Sequence, residues 1–210
     1  MKKYIVIEWI HGSWKSSVAK ALNERFQSKN IKSTYYHMPD ENETLGQAIR
    51  EVVADKDIVK KREITWLLYA AFSNKYHLKT KEDELIHVLD RDSVTTWLIF
   101  QRDIPWEIRL QIYKYGIENL QKNWIVVYVK ANKEISLKRL TTRNNAIKSE
   151  WWARTNKAND QFIAQEFDKL SDLYQTELFP QLDKLGIPYI IVENNTTIDN
   201  VVNDIENLLK

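Results

Sequence analysis

Apolar positions along this chain follow two alternating periods. Tyr4–Ile7 is an unbroken apolar run rich in β-branched residues, as expected of a strand buried on both faces of a parallel sheet. Lys15–Gln27 then places Val18, Ala19, Leu22 and Phe26 on one helical face. The alternation continues to the end. Strands are predicted over Ile31–His37, Glu84–Asp90, Ile125–Val129 and Ile187–Val192. Helices are predicted over Glu43–Ala54, Ile58–His77, Trp106–Gln121, Lys133–Thr141, Asp160–Leu185 with a pause near Pro180, and Thr197–Leu209. The stretch Arg143–Lys157 has no clear period and is dense in Arg, Lys, Asn and Ser. Strand alternating with helix implies an α/β fold: a five-stranded parallel sheet with helices on both faces. At 210 residues, 1–210 reads as one domain.

Ligands of such sheets bind at the carboxyl ends of the strands. Those ends carry Glu8 to Ser16, His37 to Asp40, and Asp90-Arg91. The first matters most. A buried strand runs into Trp9-Ile10-His11-Gly12-Ser13-Trp14, then Lys15-Ser16-Ser17 opens a helix. That is the layout of a phosphate-binding P-loop, in which backbone N–H groups and a helix N-terminus face the anion. The lysine bridges the outer phosphates and the next hydroxyl ligates Mg²⁺. Yet Trp9 and Trp14 occupy both positions where the G-x-x-x-x-G-K-[ST] pattern has glycine. The plainer reading is an ordinary strand–turn–helix connection with an exposed lysine.

Composition sharpens this point. Glycine occurs 4 times, where average usage of about 7% gives roughly 15. Tryptophan occurs 8 times. The net charge of +2 gives no whole-surface field, so nucleic acid and anionic membranes are not expected partners. There is no cysteine, hence no disulfide framework. The first apolar run breaks at Glu8, too early for a signal peptide or a membrane span, so a cytoplasmic protein is expected.

The chain resembles the thymidylate kinases. Their opening signature, a strand and then Glu-Gly-x-Asp-Gly-x-Gly-Lys-Ser/Thr, aligns without a gap on Glu8 to Ser17. Pro39 with Leu45-Gly46-Gln47-Ala48-Ile49-Arg50 is similar to the segment after the family's second strand. Leu67 to Lys75 is similar to the helix that holds the thymine ring. Asp90-Arg91, Thr95-Thr96 and Phe100-Gln101 resemble the family's acceptor-site stretch. Leu137-Lys138-Arg139-Leu140 and Arg143 resemble the helix entering a lid, about 143–157, and Tyr174 falls where a tyrosine is usual.

The resemblance implies a P-loop kinase fold with ATP and Mg²⁺ as cofactors, and dTMP as acceptor. It implies that residues 9–17 (Trp9, Ile10, His11, Gly12, Ser13, Trp14, Lys15, Ser16, Ser17) wrap the donor phosphates. Lys15 would hold the transferring group, and Ser16 and Asp90 the metal. Arg91 would clamp the acceptor phosphate, Gln101 would read the base edge and Phe72 would stack on the base. His37 and Lys75 would line the acceptor site where the family has arginines. Arg143, Lys148 and Arg154 would be lid cations, with a solvated basic loop as the alternative. The family's homodimers would place the helices at 58–77 and 106–121 at an interface, although core packing explains the same residues.

His11 stands where the family has aspartate, and Asp92 where it has an aromatic, so with His37 and Lys75 they leave another nucleoside or nucleoside-monophosphate kinase as a neighbouring reading. Trp14 is the sharpest departure, because an indole there is expected to occupy phosphate space. Three readings follow: a kinase whose loop tolerates tryptophan, a degenerate relative that binds nucleotide or a partner without turnover, or glycine codons written as tryptophan. UGA encodes glycine in some lineages and tryptophan in another code. The glycine and tryptophan counts together approach the expected glycine number.

Overall fold

The computed structural model of the chain describes residues 2–10, 12–40, 42–54, 68, 71–72, 75–76, 78–80, 82–91, 105–109, 111, 124–146, 160–186 and 188–210. Five strands form one sheet: β1 (Tyr4–Glu8), β2 (Ser33–His37), β3 (Ile86–Asp90), β4 (Trp124–Lys130) and β5 (Tyr189–Glu193). Their order is β2-β3-β1-β4-β5, and every pairing is parallel. The helices bounded within the described residues are α1 (Lys15–Ser28), α2 (Thr44–Ala54), α3 (Lys133–Ala146), α4 (Asp160–Leu173), α5 (Phe179–Leu185) and α6 (Ile198–Leu208). The expected five-stranded parallel α/β sheet is what forms.

β1 is buried along its whole length, and alternate side chains feed two cores. Tyr4 and Val6 join Leu89, Val126 and Tyr128 under α2 and α4. Ile5 and Ile7 join Val18, Leu22, Val88 and Val201 under α1 and α6. Two apolar faces explain why this strand reads as a continuous run rather than an alternation.

Two elements differ from the sequence expectation. The helix predicted to end at Thr141 continues as α3 to Ala146, so residues 143–146 of the expected lid are helical; residues 147–157 lie outside the described set. The pause expected near Pro180 falls earlier, as a π-helical segment over Tyr174–Leu178. Pro180 has no N–H for the carbonyl four residues back. The wider turn instead sends the Phe179 N–H to the Tyr174 carbonyl. Of the helices expected at 58–77 and 106–121 for a dimer interface, the described residues are 68, 71–72, 75–76, 106–109 and 111, and the rest lie outside the described set. No helix among the described residues is long and apolar enough to cross a membrane.

At the amino end of the sheet, away from the strand carboxyl ends, His87 sits in a buried polar network. Its Nδ1 lies 2.7 Å from the Tyr76 hydroxyl and its Nε2 2.9 Å from Asp83 Oδ1. Tyr4 stacks on its ring at 5.1 Å. Burial pushes the His87 imidazole below its ordinary value, against the opposing pull of Asp83. The unfolded chain therefore takes up this proton first, and stability falls as the pH drops below the unfolded value of about 6.5. Thermal unfolding followed from about pH 7.5 to about pH 5 should show this decline, with a shallower slope in His87→Asn.

Candidate functional site

The polar strand ends converge where the strand order turns back, with β1 flanked by β3 and β4. Such a reversal opens a crevice at the carboxyl edge. β1 and β3 end there in Glu8 and Asp90, and Arg91 follows.

Among its described residues, the loop between β1 and α1 has two at positive φ, Gly12 and Trp14. Gly12 sits at φ 82°, and a Cβ there would lie 2.5 Å from the Ser136 carbonyl oxygen. The loop is thus seated directly on α3, and only glycine fits at that position. Trp14 is the N-cap of α1 at φ 58°, ψ 27°, a left-handed conformation. Position 14 has the geometry that glycine supplies and pays the Cβ penalty instead. Lys15 is buried, and its Nζ donates to the Ile10 carbonyl at 3.0 Å. Ser16 and Ser17 are exposed on the first turn, which carries no acidic residue. A 14-residue helix with this start favours negative charge at its N-terminus.

The two tryptophans do different things. Trp9 is fully buried among aromatic rings, 4.6 Å from Tyr174 and 6.3 Å from Phe179 between centroids. Its backbone N–H donates to Glu8 Oε1 at 3.0 Å, and its indole N–H is buried with no hydrogen-bond partner among the described residues. Trp14 is 43% exposed and lies across the Arg139 guanidinium, 3.7 Å from Cζ to the ring centroid. The indole expected in phosphate space is instead laid onto α3, where a cation–π contact holds it. Arg139 also donates from Nη2 to the Asn194 carbonyl at 3.2 Å. Burial draws its guanidinium below the ordinary value. The fully buried Asn194, just after β5, donates from Nδ2 to the Ser13 carbonyl. Thus β5, α3 and the loop are tied at one point.

On the other side, Asp90 is 1% exposed. Its Oδ2 accepts from the Tyr35 hydroxyl at 3.3 Å and lies 3.7 Å from His37 Nε2. Burial, then the neighbouring Asp90 charge, pushes the Tyr35 hydroxyl well above its usual range, so it stays a donor. Arg91 has φ 71°, its N–H bonds the Ile7 carbonyl at 3.1 Å, and its Nη1 meets Glu8 Oε1 at 2.7 Å. His37 Nδ1 lies 3.2 Å from the Pro39 carbonyl. Lys75 pairs with Glu43 at 2.7 Å, and Tyr36 donates to the same carboxylate at 3.1 Å. The Lys75 hydrogen bond above all holds Glu43 below the usual carboxylate range. Phe72 is 1% exposed and packs near Tyr36 in the core.

The structure therefore gathers Lys15, Ser16, Asp90, Arg91 and His37 along one sheet edge. His11, Gln101, Lys148 and Arg154 lie outside the described residues, as does the side chain of Arg143. Sequence reading gave no role to Tyr35, Glu43 or Asn194. Their signal is absent from any motif, because each has a partner 32 or more residues away, Asp90 for Tyr35, Lys75 for Glu43 and Ser13 for Asn194. Glu8 did leave a trace, as a carboxylate ending an otherwise apolar strand.

No family model matches the chain. The thymidylate kinase of Ligilactobacillus salivarius is 29% identical over 154 residues, covering 69% of this chain and 73% of that protein. The thymidylate kinase of Mycoplasmoides gallisepticum is 25% identical over 220 residues, covering 100% and 98%. Among solved structures, the deoxyadenosine kinase of M. mycoides with bound dATP matches over 98% of both chains at 12% identity, with a TM-score of 0.61. Its complex with dCTP matches over the same share with a TM-score of 0.58. The family resemblance and the P-loop kinase fold read from the sequence are borne out.

Proposed function

We propose that this chain, which belongs with the P-loop nucleoside and nucleotide kinases, transfers the γ-phosphoryl group of ATP to dTMP, giving dTDP and ADP. The observation that carries this reading is the joint placement of a lysine-bearing anion loop and an Asp-Arg strand end on one sheet edge. An acceptor phosphate oxygen attacks the γ-phosphorus, the bond to the β–γ bridging oxygen breaks, and ADP leaves with the electron pair. No covalent enzyme intermediate is needed; positioning and charge neutralisation suffice.

A phosphate acceptor suits the chemistry of these residues. A phosphomonoester is largely dianionic at pH 7, with its second pKa near about 6, and needs no strong base. A nucleoside hydroxyl does need one. Asp90 is buried and already accepts from Tyr35, and Glu8 is paired with Arg91. Both are better suited to holding geometry than to taking a proton.

ATP would sit with its outer phosphates over Gly12 to Ser16, against Lys15. The glycine-only seat at Gly12 and the left-handed residue 14 fit that group. Mg²⁺ binds through few protein ligands plus substrate phosphates and waters. Ser16, exposed on the first turn of α1, would be its protein ligand, with Asp90 behind it. When bound, the metal neutralises charge on the transferring group. Arg91 would take the acceptor phosphate, while Gln101, His37, Lys75 and the lid cations Arg143, Lys148 and Arg154 keep the roles that the family resemblance gives them. The whole chain acts as one kinase domain.

The likeness to deoxyadenosine kinases favours a second reading, phosphorylation of a deoxynucleoside. An ATP-dependent phosphorylation screen over dTMP, dUMP, dCMP, thymidine and deoxyadenosine separates the two. Turnover of dTMP is expected, and it should fall about thousandfold in Lys15→Met. Turnover of nucleosides alone would overturn the acceptor assignment. Binding of dTMP with no turnover of any compound would mark a degenerate relative.

A further inference from the structure

Glu8 is the carboxylate at which the most distant parts of the site meet. It is fully buried at the end of β1. Its Oε1 accepts from the Trp9 N–H at 3.0 Å, from Arg91 Nη1 at 2.7 Å and from the Tyr174 hydroxyl at 3.5 Å. These donors come from the anion loop, the residue after β3 and the first residue of the π-helical segment. A carboxylate so far from water persists only when paired and hydrogen-bonded.

We propose that Glu8, backed by Tyr174, is the positioning residue of the acceptor-phosphate clamp, holding the plane of the Arg91 guanidinium so that the fork faces the phosphate. The inference rests on the assignment of Arg91 to that phosphate.

Arg91 is anchored at both ends by neighbouring residues of β1. Its main chain bonds the Ile7 carbonyl, and its side chain bonds Glu8. A guanidinium is a rigid planar fork, and the bond from Nη1 to Glu8 restricts its plane. An arginine without such a tie loses side-chain rotamer freedom when it is finally fixed. Glu8 makes that ordering part of folding. The Arg91 side chain remains 14% exposed, so it is held without being sealed off. Tyr174 is 1% exposed, wedged against the Trp9 ring. π-Helical turns recur at functional sites because the wider turn re-aims a side chain. Here the turn begins at Tyr174, whose hydroxyl reaches Glu8.

The test measures how much the phosphate adds to binding. Affinities for dTMP and for thymidine are determined by calorimetry for the natural chain and for Arg91→Gln, Glu8→Gln and Tyr174→Phe. This readout needs no turnover. In Arg91→Gln the preference for dTMP over thymidine should collapse. In Glu8→Gln it should fall about tenfold, with thymidine affinity unchanged, as expected for a lost charge-assisted hydrogen bond. Tyr174→Phe should lower it about threefold, because its bond to the carboxylate is longer, at 3.5 Å.

A purely structural Glu8 would lower Tm and weaken both ligands alike, leaving the ratio unchanged. That outcome, beside a collapsed ratio in Arg91→Gln, overturns the positioning role and spares the clamp. An unchanged ratio in Arg91→Gln, or no binding of either ligand by the natural chain, overturns the acceptor assignment itself. If Glu8→Gln does not fold, Glu8→Asp moves the same charge back by one methylene. Unchanged ratios in both Glu8→Asp and Tyr174→Phe would then reject the proposal.

Discussion

Trp14→Gly is expected to raise kcat/KM for ATP-dependent phosphorylation of dTMP by about a hundredfold, the scale set by small displacements of reacting groups. Two physical effects add. Position 14 is left-handed at φ 58°, which costs an L-residue about 1–2 kcal/mol and costs glycine nothing. The indole also holds the Arg139 guanidinium, itself tied through Asn194 to the Ser13 carbonyl. Glycine frees the loop to close its N–H groups on a phosphate and releases Arg139. Trp14→Ala separates the two effects, since it removes the ring but keeps the Cβ. It should recover part of the gain. Calorimetry with ATP should show the same ranking in affinity. If Trp14→Gly and Trp14→Ala both match the natural chain, residue 14 does not limit the reaction. The question of what stands naturally at this position has its own check. Reading the eight tryptophan codons, or weighing the protein from its native host, decides it. UGG codons would end the recoding explanation.

Trp9 carries the opposite expectation. Its ring lies in a cage of Tyr128, Tyr174 and Phe179. Trp9→Ala should destabilise the fold by about 3 kcal/mol, the lower end of the range for removing a buried Trp. The lower end applies because the indole N–H is buried without a partner among the described residues, and deleting it recovers part of a desolvation cost of about 1–3 kcal/mol. For a chain of this size the loss corresponds to a Tm lower by about 6–12 °C. Trp9→Phe fills much of the space without the orphan donor and should lose less. Calorimetric or circular-dichroism melting distinguishes these outcomes. A Trp9→Gly protein that melts no lower than the natural chain would mean that the aromatic cage closes without the indole. That result would make glycine the residue the fold is built for.

Glycine in the loop thus has two distinct physical roles. At Gly12 a Cβ meets the Ser136 carbonyl, so the limit is contact with α3. At residue 14 the limit is backbone conformation, and the side chain has open space on the surface. The P-loop pattern requires the same residue type for both reasons without distinguishing them. That is why the sequence predicts a blocked loop, whereas the structure shows a strained one.

By itself, the sequence determined the strand–helix alternation, the parallel sheet and a resemblance to the thymidylate kinases. It also determined which strand ends bear polar residues. Those follow from local periodicity and from short motifs, both of which are properties of neighbouring residues. The C-terminal limit of α3 and the site of the π-helical turn were missed by a few residues. The proline acts upstream of its own position, which a local pattern encodes only weakly. Only the tertiary structure decided where side chains at the site point. It turned Trp14 onto Arg139 and sank Trp9 into the core. It placed Tyr35 and His37 on Asp90, and gathered Arg91 and Tyr174 on Glu8. The Glu8 pairs span 83 and 166 residues of chain. No periodicity reaches that far, because contacts of this separation exist only after the sheet has brought its strand ends together.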